Sequence, residues 1–395
     1  MFRIQTINQI SARGLELFPK NRYEVGEELP NPDAVLARSA DLHETIIPDS
    51  VQAIARAGAG YNNIPVSQCS ERGIVVFNTP GGNANAVKEL AIASLLIASR
   101  NILGGINWIA GIADNPEAVP ELVEKEKSRF EGPELRGKTL GVVGLGAIGV
   151  MVANDAVGLG MEVMGYDPYI SVDAAWNLSR SVQRADTLEG LLSKSDYISL
   201  HLPLSDTTRG IINAEKLRIM KRGSRIVNLA RGGLVNEAAI ITALNTGNLA
   251  VYVTDFPSAE LLACPKAICI PHLGASTPEA EENCAVMAVQ QLIDFLETGT
   301  IRNSVNFPLC KLDQRAPYRL LVANRNIPNM LRQITDILAG INIISSINQS
   351  RDTYAYNIID TEQEIPEAAL QQIKAVNGIV RVRAVKPLEL LKNRK

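Results

Sequence analysis

Histidine, tryptophan and long apolar runs are what this 395-residue chain has least of: three histidines, two tryptophans, and aromatics at 5% of the total. The uncharged stretch Thr139 to Asn154 is broken by glycines and shorter than the ~20 apolar residues a bilayer needs, so no membrane partner is expected. The opening Met1–Thr6 lacks an apolar region of about 7–15 residues, so a secretory signal is not expected either. Charge of one sign is also missing. With 39 basic against 42 acidic side chains and no long charge run, there is no basic face to release counterions, which argues against nucleic acid as a partner. Five cysteines (Cys69, Cys264, Cys269, Cys284, Cys310) form no C-x-x-C pair, which argues against a disulfide framework and a zinc site and points to a reducing cytoplasmic setting. What remains is a soluble protein of two to four domains, at roughly 100–200 residues each, whose partner is a small molecule.

From Val35 to Phe77, short apolar runs alternate with polar, glycine-punctuated segments, as buried parallel strands do. Helical spacing follows over Ala86–Ser99, then a charged, irregular segment over Glu121–Lys138. A second α/β series places strands near Thr139–Val143, Glu162–Tyr166, Tyr197–Leu200, Arg225–Asn228, Val251–Thr254 and Ala267–Ile270, spaced for crossover helices. A helix over Pro278–Thr298 ends at Gly299, and residues 300–317 read as linker. Beyond it the pattern is strand Tyr318–Ala323, helix Met330–Leu338, strands Ile341–Asn348 and Tyr354–Ile359, helix Pro366–Ala375 and strand Ile379–Val385, a ferredoxin-like unit. The fold class is therefore α/β: two doubly wound Rossmann-like domains plus a C-terminal ferredoxin-like α+β domain.

The sharpest motif is Gly144-Leu145-Gly146-Ala147-Ile148-Gly149, between a strand and a helix. Gly144 permits the tight turn, Gly146 lets backbone approach a pyrophosphate, and Gly149 lets helix pack on strand. Asp167, 18 residues after Gly149, closes the next strand, where an acid accepts from ribose hydroxyls and repels a 2′-phosphate. NAD is the expected cofactor. Of the histidines, His43 lies in a polar stretch, whereas His201 and His272 each follow a strand; on position alone either could serve as acid/base or be structural.

These motifs, with His201-Leu202-Pro203-Leu204, Thr207-Thr208-Arg209-Gly210, Asn228-Leu229-Ala230-Arg231-Gly232-Gly233 and Pro271-His272-Leu273-Gly274, resemble the NAD-dependent D-isomer-specific 2-hydroxyacid dehydrogenases over residues 30–308. The resemblance implies that Arg231 holds the substrate carboxylate and that His272 is the acid/base. It further implies that a glutamate pairs with His272, in a D-V-F-x-x-E-P run. This chain reads Asp255-Phe256-Pro257-Ser258-Ala259-Glu260-Leu261, one residue short before Phe256 and without the final proline. Glu260 is the partner by count; Asp255 is the nicotinamide contact and the alternative partner. The nucleotide would touch Gly144, Gly146, Ala147, Ile148, Gly149, Asp167, His201, Pro203, Thr208, Ala230, Asp255, His272 and Gly274; no metal is implied.

Two further likenesses point within that family to the branch that oxidises D-3-phosphoglycerate and opens serine synthesis. Ala37-Arg38-Ser39, Arg56-Ala57-Gly58-Ala59-Gly60 and Asn78–Asn83 resemble its substrate loops, which implies substrate contacts at Arg38, Ser39, Arg56, Gly58, Ala59, Gly60 and Asn83 beside Arg231. Asn326-Ile327-Pro328-Asn329-Met330-Leu331 and Gly340-Ile341-Asn342-Ile343 resemble the signatures of ACT regulatory domains, except that Asn329 replaces a glycine and Asn324 a histidine. That likeness implies L-serine as effector at Asn326 and Asn342, and a homo-oligomer in which ACT units pair. The implied domains are 1–94 with 280–308 for substrate, 95–279 for NAD, a linker at 309–317, and a detachable ACT domain at 318–395. Two alternatives stand: a glycerate, lactate or 2-hydroxyglutarate enzyme of the same family, and a non-enzymatic NAD-sensing corepressor, which would be expected to lose Arg231 and His272.

Overall fold

The computed structural model describes residues 1–113, 117–313 and 316–385. Residues 314–315 of the expected linker and 386–395 of the expected C-terminal domain lie outside that description. The chain divides into two compact units, one made of Met1–Gly82 with the chain from Glu281 onward, the other of Asn83–Ala280.

The first unit is built on five short strands, β1 (Phe2–Ile7), β2 (Tyr23–Gly26), β3 (Ala34–Ala37), β4 (Ala53–Arg56) and β5 (Val75–Phe77). They run parallel in the order β2-β1-β3-β4-β5, a doubly wound sheet whose direction of winding reverses between β1 and β3. β3 to β5 carry the apolar runs seen in the sequence. β1 alternates polar and apolar residues, and neither it nor β2 stands out as a buried run.

The second unit holds β6 (Thr139–Val143), β7 (Glu162–Tyr166), β8 (Gln183–Arg184), β9 (Tyr197–Leu200), β10 (Ser224–Asn228), β11 (Leu249–Thr254) and β12 (Ala267–Cys269). Their order is β12-β11-β10-β9-β6-β7-β8, all parallel, with the switch point between β6 and β9. The Ala84–Ser99 helix buries Val87, Ala91, Leu95 and Ala98 in the core that the Ala147–Gly158 helix shares through Val150, Val152, Ala153 and Ala156. That packing moves the first boundary from the expected 94/95 to 82/83, since a helix with its apolar face in one core cannot be split between two. The segment read as irregular contains a helix, Val119–Glu126, and the apolar Ile102–Gly111 helix before it has no buried residue. No single helix among the described residues is long and apolar enough to cross a membrane.

The C-terminal part has the expected β-α-β-β-α-β order, with β13 (Tyr318–Arg325), β14 (Ile343–Arg351), β15 (Tyr354–Thr361) and β16 (Ile379–Val385) forming an antiparallel sheet in the order β14-β15-β13-β16. Alternation gives this sheet two apolar faces. Leu320, Val322 and Ile359 meet Ile334 and Ile373 of the helices Met330–Ile337 and Glu367–Ala375. On the other face Leu321, Ala323, Tyr354, Tyr356 and Ile358 enter one core with Ala288, Val289, Leu292 and Phe295 of the Pro278–Thr298 helix and with Ile4, Leu36 and Phe77 of the five-stranded sheet. Arginines fasten the same junction. Arg319, bidentate to Asp360 at 2.6 and 2.8 Å, also donates to Thr298 O, and Arg383 donates to Leu296 O and Phe295 O, so the carbonyls that end the Pro278–Thr298 helix find donors. The expectation of a detachable domain is therefore corrected: two apolar faces need two partners, and the second partner is the rest of the first unit.

Candidate active site

β6 delivers the chain to the glycine loop, and each glycine has its own reason. Gly144 takes φ +92° with a would-be Cβ 2.5 Å from His201 O. Gly149 would put a Cβ 1.9 Å from Gly144 O, so any side chain there would push the Ala147–Gly158 helix off the loop. Nothing lies within 4 Å of a Cβ on Gly146, the residue that caps that helix, so its amide end faces open space. Asp167, at the end of β7, accepts from the amides of Leu145 and Tyr169, both at 2.8 Å, through different oxygens. Each oxygen keeps a lone pair for a ribose hydroxyl. Leu145, Asp167, Pro168, Arg184 and Asp186 line a cleft of about 490 Å³. Open backbone at a helix N-terminus, an acid one strand away and a cleft beside both fit a dinucleotide.

His201 is tied to its own strand end. Its Nε2 lies 2.8 Å from Ser199 Oγ, its amide donates to Val143 O, and burial lowers its pKa to about 4, so it is neutral at working pH. Pro203 O accepts from Thr208 Oγ1 at 2.6 Å, which closes the turn after β9.

Arg231, Asp255 and His272 come together beyond the carboxyl ends of β10, β11 and β12. Asn228, the last residue of β10, donates through Nδ2 to Arg231 O at 2.9 Å and to the Tyr252 hydroxyl at 3.1 Å, which sets the Leu229–Arg231 loop. Arg231 is exposed and spends one N–H on Ala230 O. Asp255, the residue after β11, is 1% exposed, and neither of its carboxylate oxygens has a hydrogen-bond partner among the described residues. Burial pushes its pKa up, and the nearby charges of His272 and Arg231 work against that rise. His272 Nε2 stands 4.0 Å from Asp255 Oδ2, with its side chain 63% exposed and its ring tilted on Phe256 at 4.9 Å between centroids. A Cβ on Gly274 would reach 3.6 Å from that same oxygen, an ordinary packing distance, so the loop lies against the carboxylate.

Glu260 is elsewhere. It sits exposed in the first turn of the short Ala259–Leu262 helix, which Ser258 caps through Leu261 N, and its side chain makes no hydrogen bond or ion pair among the described residues. The shortened run explains this: Asp255 ends the strand and only Phe256-Pro257 precede the cap, so the glutamate is carried onto a helix. The structure brings Asp255 to His272, and not Glu260.

In the first unit, Arg38 follows β3 and pairs with Glu281, while Arg56 ends β4 and donates through Nε to Arg38 O at 3.0 Å. Ser39 N is held by Asn8 Oδ1, and Ala59 O accepts from Asn78 Nδ2. Asn83 caps the Ala84–Ser99 helix in the second unit, its buried Oδ1 without a partner. Asn326 donates to Asp352 O and Asn342 to Glu362 Oε2, at opposite ends of the Met330–Ile337 helix. Asn329 takes φ +71°, which explains a residue type that tolerates the left-handed region in a glycine's place. Sequence reasoning missed a ladder of amides behind it: Asn348 donates to Asn357 and Asn357 to Asn324, across three strands. It also missed Glu281, whose sign, beside Arg38, was the available signal.

Known proteins bear on this geometry. Residues 95–274 match the family model described as D-isomer specific 2-hydroxyacid dehydrogenase, NAD binding domain. The chain is 36% identical over 329 residues to a D-3-phosphoglycerate dehydrogenase of Methanocaldococcus jannaschii, covering 79% of this chain and 59% of that protein, and 35% identical over 319 residues to one of Archaeoglobus fulgidus, covering 77% and 58%. It thus spans about 60% of the length of these curated relatives. A crystal structure of NAD+-bound 3-phosphoglycerate dehydrogenase of Entamoeba histolytica superposes with a TM-score of 0.61 at 29% identity, covering 78% of this chain and 99% of that one. Residues 95–274 thus match the NAD-binding domain of the D-isomer-specific 2-hydroxyacid dehydrogenases.

Proposed function

We propose that the chain oxidises D-3-phosphoglycerate to 3-phosphohydroxypyruvate with NAD+, forming NADH and releasing one proton, the entry step to L-serine. The observation that carries this reading is the set Arg231, Asp255 and His272 beside a dinucleotide cradle. NAD, when bound, supplies the hydride acceptor. The residues do the rest. Gly144 to Gly149 present backbone to the pyrophosphate, and Asp167 takes the ribose hydroxyls. Arg231 offers a planar fork to the substrate carboxylate. His272 takes the hydroxyl proton as the C–H bond breaks, and ionised Asp255 stabilises the imidazolium that forms. Substrate preference is tested by following NADH formation on D-3-phosphoglycerate, D-glycerate and D-lactate: a marked preference for the phosphorylated acid supports the reading, and equal or better turnover of the others overturns it.

The same reading takes L-serine as effector at Asn326 and Asn342. Two side-chain amides that flank the Met330–Ile337 helix, Asn326 before it and Asn342 after it, suit an amino-acid zwitterion. It also takes the enzyme to be a cytoplasmic homo-oligomer, in keeping with five free cysteines and the exposed Ile106 and Ile109 of an unburied helix. Serine titration calorimetry tests the first point, and sedimentation the second.

A further inference from the structure

The switch point of a doubly wound sheet opens a crevice at the carboxyl ends of its strands, and in the first unit that place belongs to β1 and β3. Arg38 is the first residue beyond β3. Arg56, the last of β4, is in register with Ala37, and its Nε fixes the carbonyl of Arg38 at 3.0 Å. A Cβ on Gly58 would lie 2.0 Å from Arg56 Nη1, so a glycine is needed for that guanidinium to lie across the turn. Two fixed cations at one strand edge would draw an anion, and the chain supplies one: Glu281, in the Pro278–Thr298 helix, pairs with Arg38. The Arg38 and Glu281 side chains remain 37% and 39% exposed, so their pairing is weak in water and open to exchange.

We infer that Glu281 is a specificity-determining residue: an internal monoanion that occupies Arg38 and yields it to a phosphate monoester dianion but not to a competing carboxylate. A phosphate brings a charge of about −1.5 to −2 and three strong acceptor oxygens, and wins the exchange; a carboxylate, equal in charge to Glu281, does not. The inference rests on the phosphorylated substrate proposed above, and it deepens that reading by naming what rejects acidic analogues.

The test is Glu281→Gln, which keeps the side-chain shape and removes the charge. Steady-state constants are measured on D-3-phosphoglycerate, on D-2-hydroxyglutarate with its distal carboxylate, and on D-lactate with no distal anion. The expected result is a fall in KM of roughly 3-fold for the phosphate, a fall of about 10-fold or more for the distal carboxylate, and no change for D-lactate. Separately, inorganic phosphate should raise the melting temperature of Glu281→Gln at lower concentration than it does the wild type, and should leave Arg38→Ala unmoved. A rise in KM for D-3-phosphoglycerate would mean that Glu281 only positions Arg38, and equal changes on all three substrates would mean a general structural effect; either overturns the inference. Loss of the wild-type preference for phosphate would instead overturn the substrate reading, so the two failures are told apart by which protein shows them.

Discussion

Replacing Asp255 by asparagine keeps the shape of the side chain and removes its charge, so it isolates what the buried carboxylate does for His272. At 4.0 Å, two unit charges interact by about 4 kcal/mol at an effective dielectric of 20. His272 is 63% exposed, and water screens much of that, leaving roughly 1–2 kcal/mol. The expected loss in kcat/KM for hydroxy-acid oxidation is therefore about 5- to 30-fold. Stability should respond in the opposite sense. Burial raises the folded-state pKa of Asp255 above its unfolded value, so the folded protein holds a proton that the unfolded chain gives up. Stability then falls as pH rises from about 4 through the raised folded-state value, and the asparagine variant lacks that slope. Melting curves between pH 4 and 8 should show the variant gaining on the wild type as pH increases. If Glu260→Gln costs more activity than Asp255→Asn, the assignment of Asp255 as the histidine's partner is wrong.

His272→Asn should lose about 10²–10⁴-fold in turnover while NADH fluorescence titration shows unchanged binding, since the cradle is built from other elements. His201→Asn should leave the activity profile above pH 6 unchanged; because burial lowers the histidine's pKa to about 4, wild-type stability rises with pH between about 4 and 6.5, and the variant should lose that rise in thermal melts. Asp167→Ala should weaken NAD and narrow the preference over NADP, read from the ratio of kcat/KM values. Arg319→Leu leaves Asp360 buried without its partner and should cost about 3–5 kcal/mol in denaturant unfolding.

The glycine loop, Asp167, Arg231 and His272 were legible because each follows a buried strand, and the end of an apolar run in the sequence marks the edge of a sheet in space. Asp255 carried the same mark, yet counting along a motif favoured Glu260. Counting assumes an unbroken register; once two residues replace a longer stretch before Ser258, a capped helix begins and takes the glutamate with it. β1 was hidden for another reason. A strand that alternates polar and apolar residues looks like a surface segment until its neighbours are known. The first domain boundary depended on which core the Ala84–Ser99 helix buries its face in, and one helix face fits either of two sheets on pattern alone.

The shared core under the C-terminal sheet has a consequence for how the protein comes apart. Amides in β13 and β15 and amides in β1, β3 and β5 should exchange with solvent in a single event, because opening either sheet strips Phe77 and Phe295 of their cover. Cutting the chain after Phe307 would expose that apolar face, giving a protein that aggregates in place of one with a missing accessory. A small molecule held near Asn326 would tighten the whole first unit by mass action, strand ends at Arg38 and Arg56 included, so an effector's signal and the unit's resistance to unfolding would be one quantity measured two ways.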